Sequence, residues 1–130
     1  MRCLPEGVKE AVIRHAEVCL PNECCGLLAT DGVGRIRFAY PLTNSNPSPV
    51  AFTIAPEEHF AALRHAERHG WEIGGVFHSH PRGPAVLSET DLSQPHETDW
   101  IHVVVGFVPH LDVKGWWIRG GKPVEIPIWS

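Results

Sequence analysis

Two histidines one residue apart, His78 and His80, close a long apolar run in the sequence GGVFHSH. On a β-strand, residues i and i+2 point to the same face of the sheet, so both imidazoles could reach one metal ion. Two ligands alone do not make a metal site, and two polar side chains emerging at the end of a strand are the more ordinary outcome. The pair predicts a metal site only if a further ligand joins it.

A serine and an aspartate follow with the spacing S-x-x-D, at Ser88 and Asp91. This spacing is typical of a helix start, where the side chains cap the first turn, although Glu or Gln is the usual partner of the serine. The two roles are compatible, because a helix start can also aim its fourth residue at a metal. Ten residues separate His80 from Asp91, and the prolines and glycine within 81–84 favour a bend that returns the carboxylate to the imidazoles.

Together, His78, His80 and Asp91 would supply three protein ligands and leave a fourth position for water. Zinc accepts nitrogen and oxygen ligands in tetrahedral geometry, and three protein ligands plus water is the arrangement of catalytic zinc sites. A zinc hydrolase also needs a proton carrier, for which a carboxylate is suited. Glu23, in the sequence PNECCG just before a predicted strand, is one candidate, and a solvated loop glutamate is the ordinary alternative.

The four cysteines lie close to the N-terminus and match neither a CxxC pair nor a zinc-finger pattern. We expect buried or partly buried free thiols, because free cysteine packs as a small hydrophobe. A nucleophilic Cys24 or Cys25 paired with a histidine is the alternative, but nothing nearby marks a site that stabilises a thiolate.

The other seven histidines are not expected to bind metal. Four lie in helical patterns and are expected to be largely solvated: His15, His59, His65 and His69. Three show no recognisable partner spacing: His96, His102 and His110.

A chain of 130 residues fits a single domain, residues 1–130. The net charge of −4 and the scattered basic residues give no footprint for nucleic acid and no polybasic patch for a membrane surface. No run approaches the roughly 20 apolar residues of a membrane span. Charges interrupt the first 20 residues, which therefore do not resemble a signal peptide, and a cytoplasmic protein is expected.

Two helices are predicted at 5–20 and 56–70, each opened by a proline. A hairpin is predicted from CCGLLAT and RIRFAY around the turn signal DGVG, followed by the loop PLTNSNPSP and a short strand, VAFTI. The near-continuous apolar character of WEIGGVFHSH predicts a central strand, and SETDLSQ predicts a short helix. Three further strands are predicted from WIHVVVGF, VKGWWIRG and PVEIPIW, the last nearer an edge because Pro127 has no backbone donor.

This order predicts an α/β or α+β fold in which a mixed β-sheet is flanked by helices. Trp116 and Trp117 would point to opposite faces of their strand. One of the two indoles is expected in the core, and the other on an exposed face or a dimer contact.

Taken together, these residues resemble the JAMM (MPN-plus) metalloprotease family. The family motif is a distant Glu, then H-x-H-P, then S-x-x-D, with ten residues between the second His and the Asp. The matching positions are Glu23, His78, Ser79, His80, Pro81, Ser88 and Asp91. The segments P-x-E-C-C-G, GG-x-x-H-S-H-P and F-T-I-x-P-E-E also resemble the family, so the similarity spans nearly the whole chain. Leu87 departs from the family, since many members have proline before the serine, and should change the bend rather than the ligands.

The resemblance implies a JAMM fold related to the cytidine deaminases. The deaminase signature H-x-E with a later P-C-x-x-C is absent, so base deamination is not expected. The resemblance further implies that His78, His80 and Asp91 ligate Zn²⁺, that Glu23 is the general acid and base, and that Ser88 helps to stabilise the tetrahedral oxyanion.

Members of this family cleave peptide or isopeptide bonds after the C-terminal tail of ubiquitin or ubiquitin-like proteins. This chain is similar to the stand-alone prokaryotic members, which implies a small ubiquitin-like protein of the sulfur-carrier type, ending in Gly-Gly, as partner, and by analogy a homodimer. The loop TNSNPSPVAF is a candidate wall for an extended tail, and an ordinary surface loop is the alternative. Two rival functions stay open: a zinc hydrolase of general peptides or small amides, and a non-catalytic MPN-type scaffold.

Overall fold

The computed structural model describes residues 2–95, 97 and 99–129, without the side chains of Arg2 and Trp129, so the expectation for His96 lies outside the described residues. The helices are α1 (Glu6–Cys19), α2 (Pro56–Arg68) and α3 (Glu89–Ser93). The strands are β1 (Arg2–Cys3), β2 (Cys25–Thr30), β3 (Ile36–Leu42), β4 (Glu72–His80), β5 (Ile101–Gly106), β6 (Asp112–Arg119), β7 (Lys122–Ile126) and β8 (Ile128–Trp129).

A six-stranded sheet with the order β3-β2-β4-β5-β6-β7 organises these elements. Strands β4 and β5 run parallel, and the other neighbouring pairs run antiparallel. The predicted mixed sheet with flanking helices is therefore confirmed. Strand β4 is central, as its apolar sequence predicts, because a strand covered on both faces needs no polar alternation.

Helices α1 and α2 cover opposite faces of this sheet, and strand β2 shows the division. Leu28 packs into the cluster that contains α1, whereas Leu27 and Ala29 pack into the cluster that contains α2. Neighbouring residues of a strand point to opposite faces, so the alternation places one helix on each side. The buried residues of the helices recur at four-residue spacing: Val8, Val12 and Ala16 in α1, and Ala62 and Ala66 in α2.

The predicted strand VAFTI is wrong. Within residues 50–54 only Ile54 pairs, in an isolated bridge with Asn44. The segment instead belongs to a loop that hydrogen-bonds to the Asn44 side chain, and Pro47 and Pro49 just before it have no backbone N–H for a ladder.

The predicted C-terminal segment PVEIPIW does form strand, but it is divided at Pro127 into two strands. Strand β7 forms an edge of the main sheet, and β8 pairs in parallel with β1 in a separate two-stranded sheet. The pairing of Arg2 and Cys3 has no signal in the sequence, because two residues show no periodicity.

The cysteines are free thiols, with Cys24 and Cys25 buried. Burial raises the pKa of each of these two thiols to about 12, which opposes the nucleophile alternative.

Both Trp116 and Trp117 are half-buried, each packed against a different core cluster, so neither matches the expected division into core and exposed. Among the described residues, no helix is long and apolar enough to cross a membrane.

Candidate metal centre and catalytic site

The end of strand β4 presents the two histidines on one face of the sheet, as predicted. Their ring centroids lie 5.1 Å apart. His78 is 2% exposed and pairs in register with Cys25 of β2 and Val104 of β5, so its backbone is held on both sides. Ser79 between the histidines is fully buried, and its hydroxyl accepts a hydrogen bond from the Cys24 amide at 2.8 Å.

After His80 the chain bends through residues 81–87, and this bend is anchored to the sheet. The Phe107 amide donates to the Gly83 carbonyl at 3.0 Å, and the Trp116 indole donates to the Ala85 carbonyl at 2.9 Å. The bend therefore has a defined path back towards the histidines.

Leu87, which departs from the JAMM pattern, is buried in this bend and packs with Ala85, Val104 and Ile118. An apolar side chain here adds a contact with the sheet directly before Ser88.

Helix α3 begins with a capping box, and the same carboxylate faces the imidazoles. The Ser88 hydroxyl accepts from the Asp91 amide at 3.1 Å, and Asp91 Oδ2 accepts from the Ser88 amide at 2.9 Å. Asp91 Oδ2 also lies 3.1 Å from His78 Nε2 and 3.1 Å from His80 Nε2. Asp91 therefore takes part in the cap of helix α3, and the same carboxylate also faces the two histidines.

The orientation of the His80 ring is set by the bend. Its Nδ1 lies 3.1 Å from the Pro84 carbonyl, which can only accept, so Nδ1 carries a proton. In a neutral ring Nε2 then presents its lone pair towards Asp91. Burial lowers the pKa of His80, but hydrogen bonds with Asp91 and Pro84 raise it, and the net direction is upward.

The pKa of Asp91 moves in the opposite direction from that of a simple buried carboxyl. Burial raises it, but the hydrogen bonds with His78 and His80 and the Ser88 amide outweigh burial and leave it well below its ordinary value. Asp91 is therefore ionised at neutral pH.

Glu23 lies just before β2 and is buried at 3% exposure, unlike a solvated loop residue. Its Oε1 has no hydrogen-bond partner among the described residues. Its carboxylate and the imidazole nitrogens of His78 and His80 lie within 4.8 Å of one another. Burial raises the pKa of Glu23 to about 7, with His80 lowering it and Asp91 raising it further.

The donor set fits a divalent transition-metal ion. Two imidazole nitrogens converge on one carboxylate oxygen, and a neutral His80 would place a lone pair against that oxygen unless a cation or a proton lay between them. Imidazole nitrogen and carboxylate oxygen are ligands that zinc accepts. Asp91 is the better candidate for a metal ligand, because its Oδ2 makes the two short contacts with the imidazoles and the capping box holds it in place. Glu23 differs, because it is buried and its Oε1 has no hydrogen-bond partner among the described residues.

A cavity of about 330 Å³ adjoins His78 and Asp91. The loop before α2 supplies one wall, which includes Val50 and Phe52 from the segment TNSNPSPVAF. The Phe52 ring stacks on the His78 ring with centroids 5.1 Å apart. Ile54 of the same loop also lines the cavity, and the remaining walls are largely apolar and come from the sheet and the chain beyond α3, including Leu27, Val76 and Trp100.

Of the five residues expected at the site, the structure brings together Glu23, His78, His80 and Asp91. Ser88, the fifth, caps helix α3 and accepts a hydrogen bond from the Asp91 amide. The predicted candidate wall TNSNPSPVAF contains Asn44 and Phe52, but the sequence assigned no individual role to either residue and gave no sign that the Pro84 carbonyl orients His80. The Asn/Pro/Ser composition of the loop indicates side-chain bonds to the backbone but does not identify their partners.

The expectation that the helical histidines are largely solvated holds for His59 and His69, which are exposed. His15 and His65 are half-buried: His15 Nε2 lies 2.8 Å from the Leu42 carbonyl, and His65 Nδ1 lies 2.7 Å from the Tyr40 hydroxyl.

Comparison with known proteins defines the class that this fold and site represent. Residues 5–119 match the model of the prokaryotic homologs of the JAB domain, and the chain belongs to that family. A JAB1/MPN domain protein from Archaeoglobus fulgidus shares the fold, with a TM-score of 0.63 at 22% identity over the full length of both chains.

Several relatives are more similar in sequence. The chain is 35% identical over 92 residues to a probable TtuB-protein conjugate cleaving protease of Thermus thermophilus, covering 70% of this chain but only 61% of that protein. It is 30% identical over 121 residues to the CysO-cysteine peptidase of Mycobacterium tuberculosis, covering 91% and 83%. The solution structure of a protein from Desulfitobacterium hafniense gives a TM-score of 0.87 at 31% identity, covering 99% of this chain and 92% of that one.

Proposed function

We propose that this chain, as a single domain over residues 1–130, is a zinc-dependent metallopeptidase or isopeptidase. It hydrolyses the bond at the C-terminal tail of a small ubiquitin-like protein of the sulfur-carrier type. The observation that carries the proposal is the convergence of His78 Nε2 and His80 Nε2 on Asp91 Oδ2, at 3.1 Å each, beside the buried carboxylate of Glu23.

His78, His80 and Asp91 would hold the zinc ion. The chemistry that zinc supplies when bound is a water molecule acidified towards a pKa of ~7 and a polarised carbonyl. Glu23 takes the proton of the attacking water and delivers it to the leaving amine, for which its pKa of about 7 suits it. Ser88 uses its oxygen to accept from the Asp91 amide, so its O–H remains available to donate to an oxyanion.

The substrate proposal is supported by the names of the relatives and by the cavity. The Thermus and Mycobacterium relatives are named for TtuB conjugates and for CysO-cysteine. Glycines at a cleavage site have no side chains, so an extended Gly-Gly tail could pass the metal ligands. The mostly apolar cavity would receive larger side chains of the substrate, with Phe52 as part of one wall.

Cytoplasmic location and a homodimer also belong to this proposal. The free thiols of all four cysteines are consistent with a reducing compartment. Light scattering of the purified protein would report the oligomeric state.

The test combines metal content with a substrate panel. Elemental analysis should find about one zinc per chain, lost in the His78→Ala/His80→Ala double variant. Purified protein should then cleave fusions behind the Gly-Gly tail of a ubiquitin-like carrier and leave unrelated peptides intact. Equal cleavage of generic peptides would favour the general hydrolase, and metal-bound protein without hydrolysis of any substrate would favour the scaffold.

A further inference from the structure

Asn44 is a buried polar side chain, 8% exposed, in the loop between β3 and α2. Its Nδ2 donates to the Glu23 carbonyl at 3.2 Å and to the Ala51 carbonyl at 3.0 Å. Its Oδ1 accepts from the Asn46 amide at 3.1 Å and from the Thr53 amide at 3.0 Å. One carboxamide can donate twice and accept twice, so its whole hydrogen-bonding capacity is used.

These bonds join two parts of the site that are far apart in sequence. One part is the Glu23 peptide, whose amide also donates to the Ser48 carbonyl of the same loop at 2.8 Å. The other part is the wall of the cavity, since the bonded residues Ala51 and Thr53 flank Phe52. The Phe52 ring in turn stacks on His78. The loop therefore holds the glutamate backbone on both its N–H and its C=O sides.

We propose that Asn44 is a positioning residue for the reaction: it holds Glu23 at the imidazole pair and holds the cavity wall at Phe52 as one hydrogen-bonded unit. This inference rests on the proposed function. A displacement of about 1 Å in a reacting group can lower a rate ~100-fold, so a short side chain that fixes the glutamate backbone has a large effect.

The two ends of the carboxamide serve different parts of the site, which makes the inference testable. Nδ2 reaches Glu23, whereas Oδ1 orders the amides of residues 46 and 53 in the loop. Asn44→Asp keeps the acceptor and removes the donors. Asn44→Ala removes both.

Steady-state kinetics should be measured on the zinc-loaded full chain with a Gly-Gly-tailed carrier fusion. Asn44→Asp is expected to lower kcat roughly 10- to 100-fold with KM within about threefold of wild type. Asn44→Ala is expected to lower kcat similarly and also to raise KM several-fold, because the wall is no longer ordered. Both variants should retain one zinc per chain. The matched controls Asn46→Asp and Asn46→Ala change an exposed asparagine in the same loop and should stay within about twofold.

Hydrogen–deuterium exchange of the metal-free protein provides a readout that does not depend on activity. Asn44→Ala should increase exchange of the Glu23 and Thr53 amides at least ~10-fold while leaving the Val104 amide of β5 unchanged. In Asn44→Asp, the retained acceptor still orders the loop that carries the Ser48 carbonyl, so the Thr53 and Glu23 amides should both stay protected.

The inference is overturned if both Asn44 variants keep wild-type kcat, or if activity falls only in proportion to zinc content and folded fraction. If the wild type binds no zinc or cleaves no tailed fusion, the proposed function fails instead. In that case the exchange pattern alone decides whether Asn44 fixes Glu23, and unchanged protection of the Glu23 amide in Asn44→Ala overturns the inference.

Discussion

At the residue scale, the buried carboxyl group of Glu23 and the half-buried carboxyl group of Asp91 lie beside the same pair of imidazoles and have opposite pKa shifts. Burial dominates at Glu23 and raises its pKa to about 7, whereas hydrogen bonds with two histidines and a backbone amide lower the pKa of Asp91. Environments that separate two carboxyl pKa values in this way assign different chemical roles to them. Asp91 is suited to act as an ionised ligand, and Glu23 as a group that gains and loses a proton near neutral pH.

The first prediction separates these roles by substitution. Glu23→Gln should reduce turnover at least ~100-fold and retain zinc, because the amide keeps the shape of the side chain and loses its basicity. Asp91→Ala should lose much of the zinc as well as turnover. Glu57→Gln, on the exposed first turn of α2, is the control. Near-wild-type turnover in Glu23→Gln would show that another group is the base.

The second prediction concerns the metal-free protein and pH. The pKa of Glu23 is raised from 4.5 to about 7 in the folded state, so folding favours its protonated form. The stabilisation that comes from protonated Glu23 is fully present below its unfolded-state pKa of 4.5 and is lost as the pH rises through about 7. With chelator present, Glu23→Gln should therefore be more stable than wild type at pH ~8, by on the order of 1–3 kcal/mol, and equal to it near pH ~4. Urea unfolding at both pH values measures this, and a difference independent of pH would contradict it.

At the element scale, the bend of residues 81–87 positions the His80 ring and the Asp91 carboxylate. It places the Pro84 carbonyl against His80 Nδ1 and delivers Asp91 through the first turn of α3. The bend approaches the end of β5 so closely that a Cβ on Gly106 would overlap the backbone of Pro84 and Ala85. A backbone segment that is anchored by hydrogen bonds cannot easily move aside.

Gly106→Ala should therefore displace the bend, lower the melting temperature and weaken zinc binding, because the His80 ring loses its orienting carbonyl. Gly83→Ala is a matched control within the bend, since its Cβ would meet only His80 Cβ at an ordinary 3.7 Å. Zinc titration and thermal unfolding of both variants test this expectation. Equal zinc affinity in the two would mean that the bend does not position the ligand.

The cap of α3 leads to a fourth prediction. Ser88→Ala removes the acceptor for the Asp91 amide, which costs about 1 kcal/mol at a typical helix start. Because the same residue carries the carboxylate, zinc affinity should fall about 10-fold, as is common when a partner of a metal ligand is lost. Ser88→Thr keeps a hydroxyl and should stay near wild type. An unchanged zinc affinity in Ser88→Ala would show that the cap does not position Asp91.

At the scale of the whole molecule, the site joins segments from both halves of the chain. Glu23 precedes β2, the histidines end β4, Asp91 belongs to α3, and Asn44 lies in the loop before α2. A metal bound by these segments stabilises only the folded arrangement.

Zinc at about 100-fold excess over its dissociation constant should therefore stabilise the wild type by about 2.7 kcal/mol. Thermal unfolding with and without zinc measures this difference. His78→Ala/His80→Ala should show no zinc-dependent shift, whatever its own stability. A shift of the same size in the double variant would place the bound zinc elsewhere.

Local pattern in the sequence was sufficient for the helices and the central strand, whereas the proposed set of site residues rests on a resemblance to the JAMM motif, because spacing alone does not single out Glu23. The period of two explains why His78 and His80 share a face, and the S-x-x-D spacing explains the capping box at Ser88 and Asp91. These features depend on residues close in the chain, so the sequence alone determined them.

Only the tertiary structure decided how the segments meet. The burial of Glu23, and hence its raised pKa, arises from a loop more than 20 residues away and from strand β4 beyond it. The segment VAFTI has strand-forming residues, yet its backbone bonds to Asn44 instead of to a sheet. Contacts of this kind depend on where distant segments lie in space, which neither periodicity nor motif spacing records.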